Sequence, residues 1–553
     1  MIAQATGGKS LPAEVVQQIV AKTDGVPLFV EELTKTVMES DLLREINGHY
    51  ELSGPLPPLA IPSTLQDSLM ARLDRLASVR EIAQLGATIG REFSYDLLQA
   101  VSPLDTQLLQ NGLRQLVATE LIYQRGMPPH ATYLFKHALI QDTAYQSLLK
   151  SRRQQLHQQI AHVLEERFTD IKATQPELLA HHYTEAGLVE QAIPYWQRAG
   201  QKALQRSALV EAIADLTKGL ELLKALPNTP ERTQQELDLQ ITLGPALIST
   251  KGWAAPEVEQ TYTRARELCQ QVGATSQLFP VLWGLWVFYL NWGEIQTTYE
   301  LATQMLHLSQ RLEDSALLVE ANVALGYTSY YLGNFASARE YGEQGIALYN
   351  PQQHHALTLL YGGVDPGMIC FCIAAQALWS LGYPAQALKR SYEAISLAQQ
   401  LSHPHSLAFA LGHAARIHQF CQDKQAAYER AEETTTLATE HRLSFWVAWG
   451  TAVRGWALVK QGQKEEGIAQ IQQGLAAHVA TGAKLWRPYY LALLAEAYAN
   501  TGQIEEGRTV LAEALKTGNK IGERYYEAEL HRLRGELTPV SYTHLTLPTI
   551  LRV

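Results

Sequence analysis

At 553 residues the chain is longer than one hydrophobic core organises, so several domains or a quasi-linear repeat array is expected. Its 46% apolar content is that of a globular protein, while 18% charged residues and a net charge of -10 leave no basic surplus for holding nucleic-acid phosphates. Cys269, Cys370, Cys372 and Cys421 are scattered without zinc spacing or disulfide-scaffold density, and neither a leader nor a long uncharged apolar run occurs, so a cytoplasmic protein with reduced core cysteines and no membrane span is expected.

At the front, Gly7-Gly8-Lys9-Ser10 imitates the end of a phosphate loop. The first glycine of G-x-x-x-x-G-K-[ST] would fall at Ala3, and no strand precedes it, so the segment is read as a loop. Leu11 to Thr23 and Leu28 to Glu39 read as amphipathic helices, parted by Asp24-Gly25-Val26-Pro27, whose glycine ends one helix and whose proline starts the next. The proline-rich stretch 54–62 is a stiff connector.

Helices are then predicted near Thr64 to Leu76, Val79 to Ile89, Tyr95 to Val101 and Thr106 to Ala118, followed by β-prone runs at Leu121 to Gln124 and Thr132 to Phe135. Three of these helices followed by one small hairpin make a winged-helix pattern, placed within 63–150. Its recognition-helix candidate, Thr106 to Ala118, carries one basic residue, Arg114, so no nucleic-acid partner is expected. A connecting helix is placed at 151–175. Glu31-Glu32 and Glu165-Glu166 read as solvated helix faces, and His181-His182, His354-His355 and His403-Pro404-His405 lack metal-ligand spacing. No catalytic residue and no metal site is nominated.

From Pro176 onward the sequence keeps a beat. Gly293, Gly333, Gly382, Gln422, Gly462 and Gly502 each follow a helical segment, at spacings of 40, 49, 40, 40 and 40. Five residues later stand Thr298, Ala338, Ala387, Ala427, Gly467 and Gly507, and seven residues earlier Trp286, Gly326, Ala375, Ala415, Gly455 and Ala495. Small residues at both places let two antiparallel helices approach, and glycine suits the turn between them. One repeat is therefore one helical hairpin. These offsets resemble the tetratricopeptide (TPR) pattern, and an earlier unit, Leu179, Ala180, Tyr183, Gly187, Ala192, Trp196 and Ala199, stands at that family's spacing.

Less regular hairpins fall at Leu209 to Leu226 and Leu237 to Gln271, and the 49-residue step is expected to carry a protruding loop between Tyr349 and Gly367. Stacked hairpins over 176–539 predict a superhelix whose concave face takes a protein or peptide. Trp283, Trp286, Tyr289, Tyr330 and Trp379 are either its exposed anchors or packing residues between helices. The tail 540–553 breaks the pattern and resembles a translated sequencing adapter, so it is left out of the fold.

The order of elements is similar to that of signal-transduction ATPases with numerous domains, in which a nucleotide core precedes a helical lid, a winged helix and a repeat sensor. Gly25-Val26-Pro27-Leu28 resembles the lid's G-x-P motif, and Phe135-Lys136-His137-Ala138-Leu139 the winged-helix histidine motif, with Ala138 in place of the usual acid. The resemblance implies that Gly25 and Pro27 lie near an adenine and His137 near ADP phosphates. His137 is also readable as a structural histidine.

Asp24 to Leu33 and Phe135 to Tyr145 resemble bacterial adenylate/guanylate cyclases fused to an ATPase and TPR repeats. That implies an all-α chain: a lid remnant at 1–53, a winged helix and a TPR superhelix. It also implies ATP/ADP with Mg in the parent protein, and ATPase and cyclase domains upstream in cis. The chain itself is expected to be a regulatory, partner-sensing fragment without catalysis. The alternatives are a fragment of a LuxR-type transcription regulator and a plain TPR scaffold.

Overall fold

The computed structural model describes residues 1–40, 42–46, 49–53, 64–75 and 79–538. The connector 54–62 and the tail 540–553 lie outside the described residues, as does Leu76. The chain divides into two compact units, Met1–Ala199 and Gly200–Val553.

In the first unit, Ala13–Thr23 and Pro27–Met38 are helices, with Asp24 in the left-handed region and Pro27 at the first helical position. Their apolar faces meet in a small core of Val15, Ile19, Phe29, Val30, Leu33 and Val37, closed by Leu43. Leu43 opens strand β1 (Leu43–Ile46), which pairs antiparallel with β2 (His49–Leu52). This hairpin was not predicted, although Asn47-Gly48 between the two runs is a hairpin-turn dipeptide.

Helices follow at Leu65–Arg75, Arg80–Ile89, Tyr95–Val101 and Thr106–Ala118, within a residue or two of their predicted bounds. The expected second hairpin forms as β4 (Ile122–Arg125) and β5 (Thr132–Phe135). It is part of more than a hairpin: β3 (Glu92–Ser94) pairs with β5, giving a three-stranded sheet in the order β3-β5-β4. Phe93 stacks on Tyr133 at 5.7 Å, which fixes that third strand against the sheet. The expectation of a single small hairpin was thus too small. Helices Lys150–Arg167, Thr169–Thr174 and Pro176–Glu185 continue the chain.

The second unit is a stack of helical hairpins, the all-α TPR-like fold expected. From residue 278 its first helices are Leu278–Trp292, Ser315–Tyr331, Pro366–Ser380, Pro404–Phe420, Ser444–Lys460, Arg487–Thr501 and Glu527–Glu536. The helices between them bury only one stripe, which in Lys424–Glu440 is made of the small residues Ala427, Ala431, Thr434 and Ala438. The paired small positions meet as the spacing requires. A Cβ on Gly455 would lie 2.6 Å from the Gly467 carbonyl oxygen, and one on Gly467 2.5 Å from that of Gly455.

First helices in the middle of the stack are buried on every side. All residues from Val319 to Tyr331 and from Ala408 to Phe420 are buried, so the inner face of the stack is covered as well as the outer. Two features cover it. The repeats wind until distant turns touch: the Lys484 and Leu485 amides donate to the Asn291 carbonyl at 2.8 and 3.2 Å, and the Arg524 amide to the Tyr331 carbonyl at 2.7 Å.

The second feature is the insertion between Tyr349 and Gly367, which does not protrude. It forms a short helix, Pro351–His354, and a 3-10 turn, His355–Leu359, then runs inward. There Tyr361 packs on Trp283 at 5.6 Å, and Gly362, at φ +72, leaves no room for a Cβ, which would sit 2.5 Å from the Trp283 ring. A flexible outward loop would leave Tyr361 and Val364 wet; burying them is the more favourable arrangement.

Candidate functional site

Gly25 and Pro27 sit at the junction of the two front helices, where Gly25 is at φ +73 with nothing within 4 Å of a Cβ. His137 precedes the helix Ala138–Gln146 and does not cap it with its side chain. The residues beside these candidates are the ones the structure joins. Lys136 pairs with Glu31 at 2.8 Å and Glu120 at 3.1 Å, and Lys35 pairs with the same two carboxylates. Hydrogen bonds from Lys136 and Lys35 hold the Glu31 carboxyl at about 2.

Glu32 is not a solvated residue either. It is fully buried against Arg72, whose guanidinium also donates to Glu39 at 3.1 Å and to the Thr119 carbonyl at 2.7 Å. The helix carrying Pro27 is therefore clamped to the sheet-bearing part by two ion-pair groups. Glu165, also expected to be solvated, accepts from Tyr183, Tyr195 and Lys172; burial would raise its carboxyl, but those donors hold it at about 2. Glu166 stays exposed, 3.2 Å from His162.

A histidine pair lies further along this unit. Tyr145 Oη meets His157 Nε2 at 2.9 Å, and His157 Nδ1 meets His182 Nδ1 at 2.8 Å. Burial pushes His157 down to about 4 and His182 well below its ordinary value. One Nδ1 donates while the other accepts, so the two rings are not both charged, and burial favours the neutral form of each. Among the described residues no group of three or more His, Cys, Asp or Glu is placed to hold a metal ion. Nor is any helix there long and apolar enough to cross a membrane.

The five aromatic candidates of the array do not form an exposed strip. Trp283, Trp286 and Tyr330 are 5%, 3% and 0% exposed, and Tyr289 and Trp379 are half-buried. Their polar edges are used internally: Trp283 Nε1 donates to the buried Glu320 at 3.1 Å, Trp286 Nε1 to Thr328 at 3.0 Å, and Tyr289 Oη to Glu259 at 2.9 Å. Trp379 lies 4.5 Å from Phe420. Trp283 and Trp286, with Trp253, Tyr327, Tyr331 and Trp486, line a cavity of about 60 Å³ whose walls are almost wholly apolar.

Tyr327 also begins a polar row that sequence reading missed. Tyr327, Gln376, Arg416, Trp456 and Glu496 each stand six residues before a turn position, namely Gly333, Gly382, Gln422, Gly462 and Gly502. They form a ladder along the inner helices. Arg416 donates to Gln376, and Trp456 Nε1 donates to Glu496 at 2.8 Å, which also pairs with Lys460 at 2.6 Å. The Tyr327 hydroxyl meets His413 at 3.2 Å, and His413 faces Arg416 at 3.2 Å.

Arg416 is the centre of the row. It is completely buried, and the rings of Trp449, Tyr525, Phe420 and Tyr330 lie 5.2 to 5.9 Å from its guanidinium carbon. Among the described residues no carboxylate pairs with it, and its Nε and Nη1 have no hydrogen-bond partner. Glu523, 5% exposed, accepts the Trp486 amide at 3.2 Å through Oε2 and leaves Oε1 free. Burial pushes Glu523 up to about 8, against the pull of the Trp486 amide and the Arg416 charge. The hydroxyls of Tyr330 and Tyr525 are also unpartnered.

No family model matches the chain. It is similar to an uncharacterized protein of Rhizobium meliloti (strain 1021), at 27% identity over 519 residues, covering 93% of this chain. The chain spans about half, 49%, of the length of that curated relative. Among solved structures it is similar to a signal transduction ATPase with numerous domains carrying a tetratricopeptide repeat sensor, from Pyrococcus horikoshii. The TM-score there is 0.49 at 10% identity, covering 96% of this chain and 75% of that one. A Rap protein complexed with competence and sporulation factor gives a TM-score of 0.39 at 11% identity, covering 62% of this chain and 98% of that one.

Proposed function

We propose that the chain is the regulatory region of a signalling ATPase, in which a helical-repeat array senses a ligand or partner and biases an upstream nucleotide core and cyclase. In this reading 1–53 is the lid, 63–150 the winged helix and 176–539 the sensor array. The observation that carries it is the Arg416 centre. A buried cation with free donors, walled by rings that in turn pack on Tyr331 and Trp486 of an aromatic cavity, is costly for a structural scaffold and useful for recognition.

The front supports the coupling half of the reading. The ion pairs of Arg72 and Lys136 make the lid helix and the sheet-bearing part move as one body, so that a shift at one is felt at the other. A nucleotide held by the upstream core would meet Gly25 and Pro27 through its base and His137 through its phosphates. Lys136 is committed to Glu31 and Glu120 and would not serve as the phosphate cation. The bound nucleotide supplies the free-energy difference between two arrangements; the residues here only read it.

The test is made on the full-length parent protein, comparing ATP hydrolysis and cyclic-nucleotide formation with and without residues 176–539. A severalfold change in either rate on removing the array is expected. Unchanged rates would contradict regulation and leave a plain TPR scaffold.

A further inference from the structure

We infer that the Arg416 centre binds the carboxylate of a small molecule whose apolar body lies in the adjoining tryptophan-lined cavity; this deepens the sensing role proposed above and rests on it. The argument begins with charge. A guanidinium never loses its proton in a protein, so Arg416 carries a full positive charge in a site with no water contact. Four rings, Gln376 and His413 offset part of the cost of that burial. None of them neutralises the charge.

Glu523 would be the internal counter-ion, yet one of its oxygens is engaged by the Trp486 amide and the other points to no partner. The free ends at the centre are chiefly donors: Nε and Nη1 of Arg416, with the hydroxyls of Tyr330 and Tyr525 available beside them. Two carboxylate oxygens offer about four acceptor sites, which matches that set, and a single negative charge balances Arg416. A phosphate, at nearly two charges, would exceed the single positive charge of Arg416.

Tyr331 and Trp486 are shared walls. Tyr331 packs on Tyr525 at 5.4 Å and Trp486 on Trp449 at 5.5 Å, both of which face Arg416, while their other sides line the cavity. Trp486 holds Tyr331 by an indole hydrogen bond of 2.6 Å. A cavity of about 60 Å³ with apolar walls takes a group of a few heavy atoms. Trp486 and Tyr331 thus stand between the Arg416 centre and the apolar cavity, so an apolar carboxylate that engages both does so by displacing Trp486.

The experiment titrates the whole chain with propionate and butyrate and, in parallel, with propionamide and butyramide, reading tryptophan fluorescence and melting temperature. Each acid is expected to bind at least about tenfold more tightly than its amide and to raise the melting temperature. Arg416→Gln is expected to abolish that discrimination. If Arg416→Gln does not fold, Tyr525→Phe, which removes only a free hydroxyl, is expected to weaken the acids about tenfold and leave the amides unchanged. Equal behaviour of acid and amide in the unmodified chain, or no binding of either, overturns the site. Rates that change on removing the array while neither acid binds would overturn this site and leave the sensing role standing.

Discussion

Gly467 shows how a single atom sets the spacing of the repeats. It lies in a helix, where alanine is the better residue by up to about 1 kcal/mol, yet a Cβ there would meet a carbonyl oxygen at 2.5 Å. Overpacking of that kind costs about 1–3 kcal/mol, so the steric effect wins and Gly467→Ala should lower stability in urea unfolding. Gly535, also helical but exposed with nothing within 4 Å, makes the control: Gly535→Ala should raise stability by up to about 1 kcal/mol. If both substitutions shift the urea midpoint in the same direction, close helix approach is not what the glycine serves. The Gly455–Gly467 pairing was legible in the sequence because it repeats on the forty-residue beat. Arg416 was not, since one arginine in an apolar helix carries no sign of what three rings distant in sequence do around it.

Elements of the first unit are held by contacts between residues far apart in sequence, which explains what could and could not be foreseen there. Helix bounds followed from apolar spacing and from punctuation such as Gly25 and Pro27; at Thr106–Ala118 the structure adds an Asp105 cap on the first turn. Glu31 and Glu32 looked like a wet face because their partners Lys136 and Arg72 lie 105 and 40 residues away. The strand β3 was missed because three residues show too little alternation to register. The insertion was placed outward because loop length says nothing of direction.

The buried histidines give this unit a pH dependence. His157 is lowered to about 4 in the fold but titrates near 6.5 when unfolded, so below 6.5 the unfolded chain binds more protons. Stability present above pH 6.5 is therefore lost as pH falls towards 4. Thermal melts of the chain followed from pH 7 to 4 should show this decline, and His157→Gln should flatten it. A slope that the substitution leaves intact would assign the effect to other groups.

At the scale of the repeat array, stacked hairpins wind far enough that the inner face closes on itself, which converts an expected open groove into an enclosed aromatic and polar interior. Partner binding at Trp283, Trp286 or Tyr330 then requires opening, and an opening step is what a sensor needs if occupancy is to change its shape. Closure depends on amides in two inter-repeat turns that bond to carbonyls 193 residues away, from Lys484 to Asn291 and from Arg524 to Tyr331. Hydrogen exchange at those amides reads it directly. The closed array expects Lys484 and Arg524 to be protected as strongly as the helix amides around them. Exchange at the rate of a solvated loop at both positions would show that the turns do not meet, and the enclosed interior with its Arg416 site would not exist.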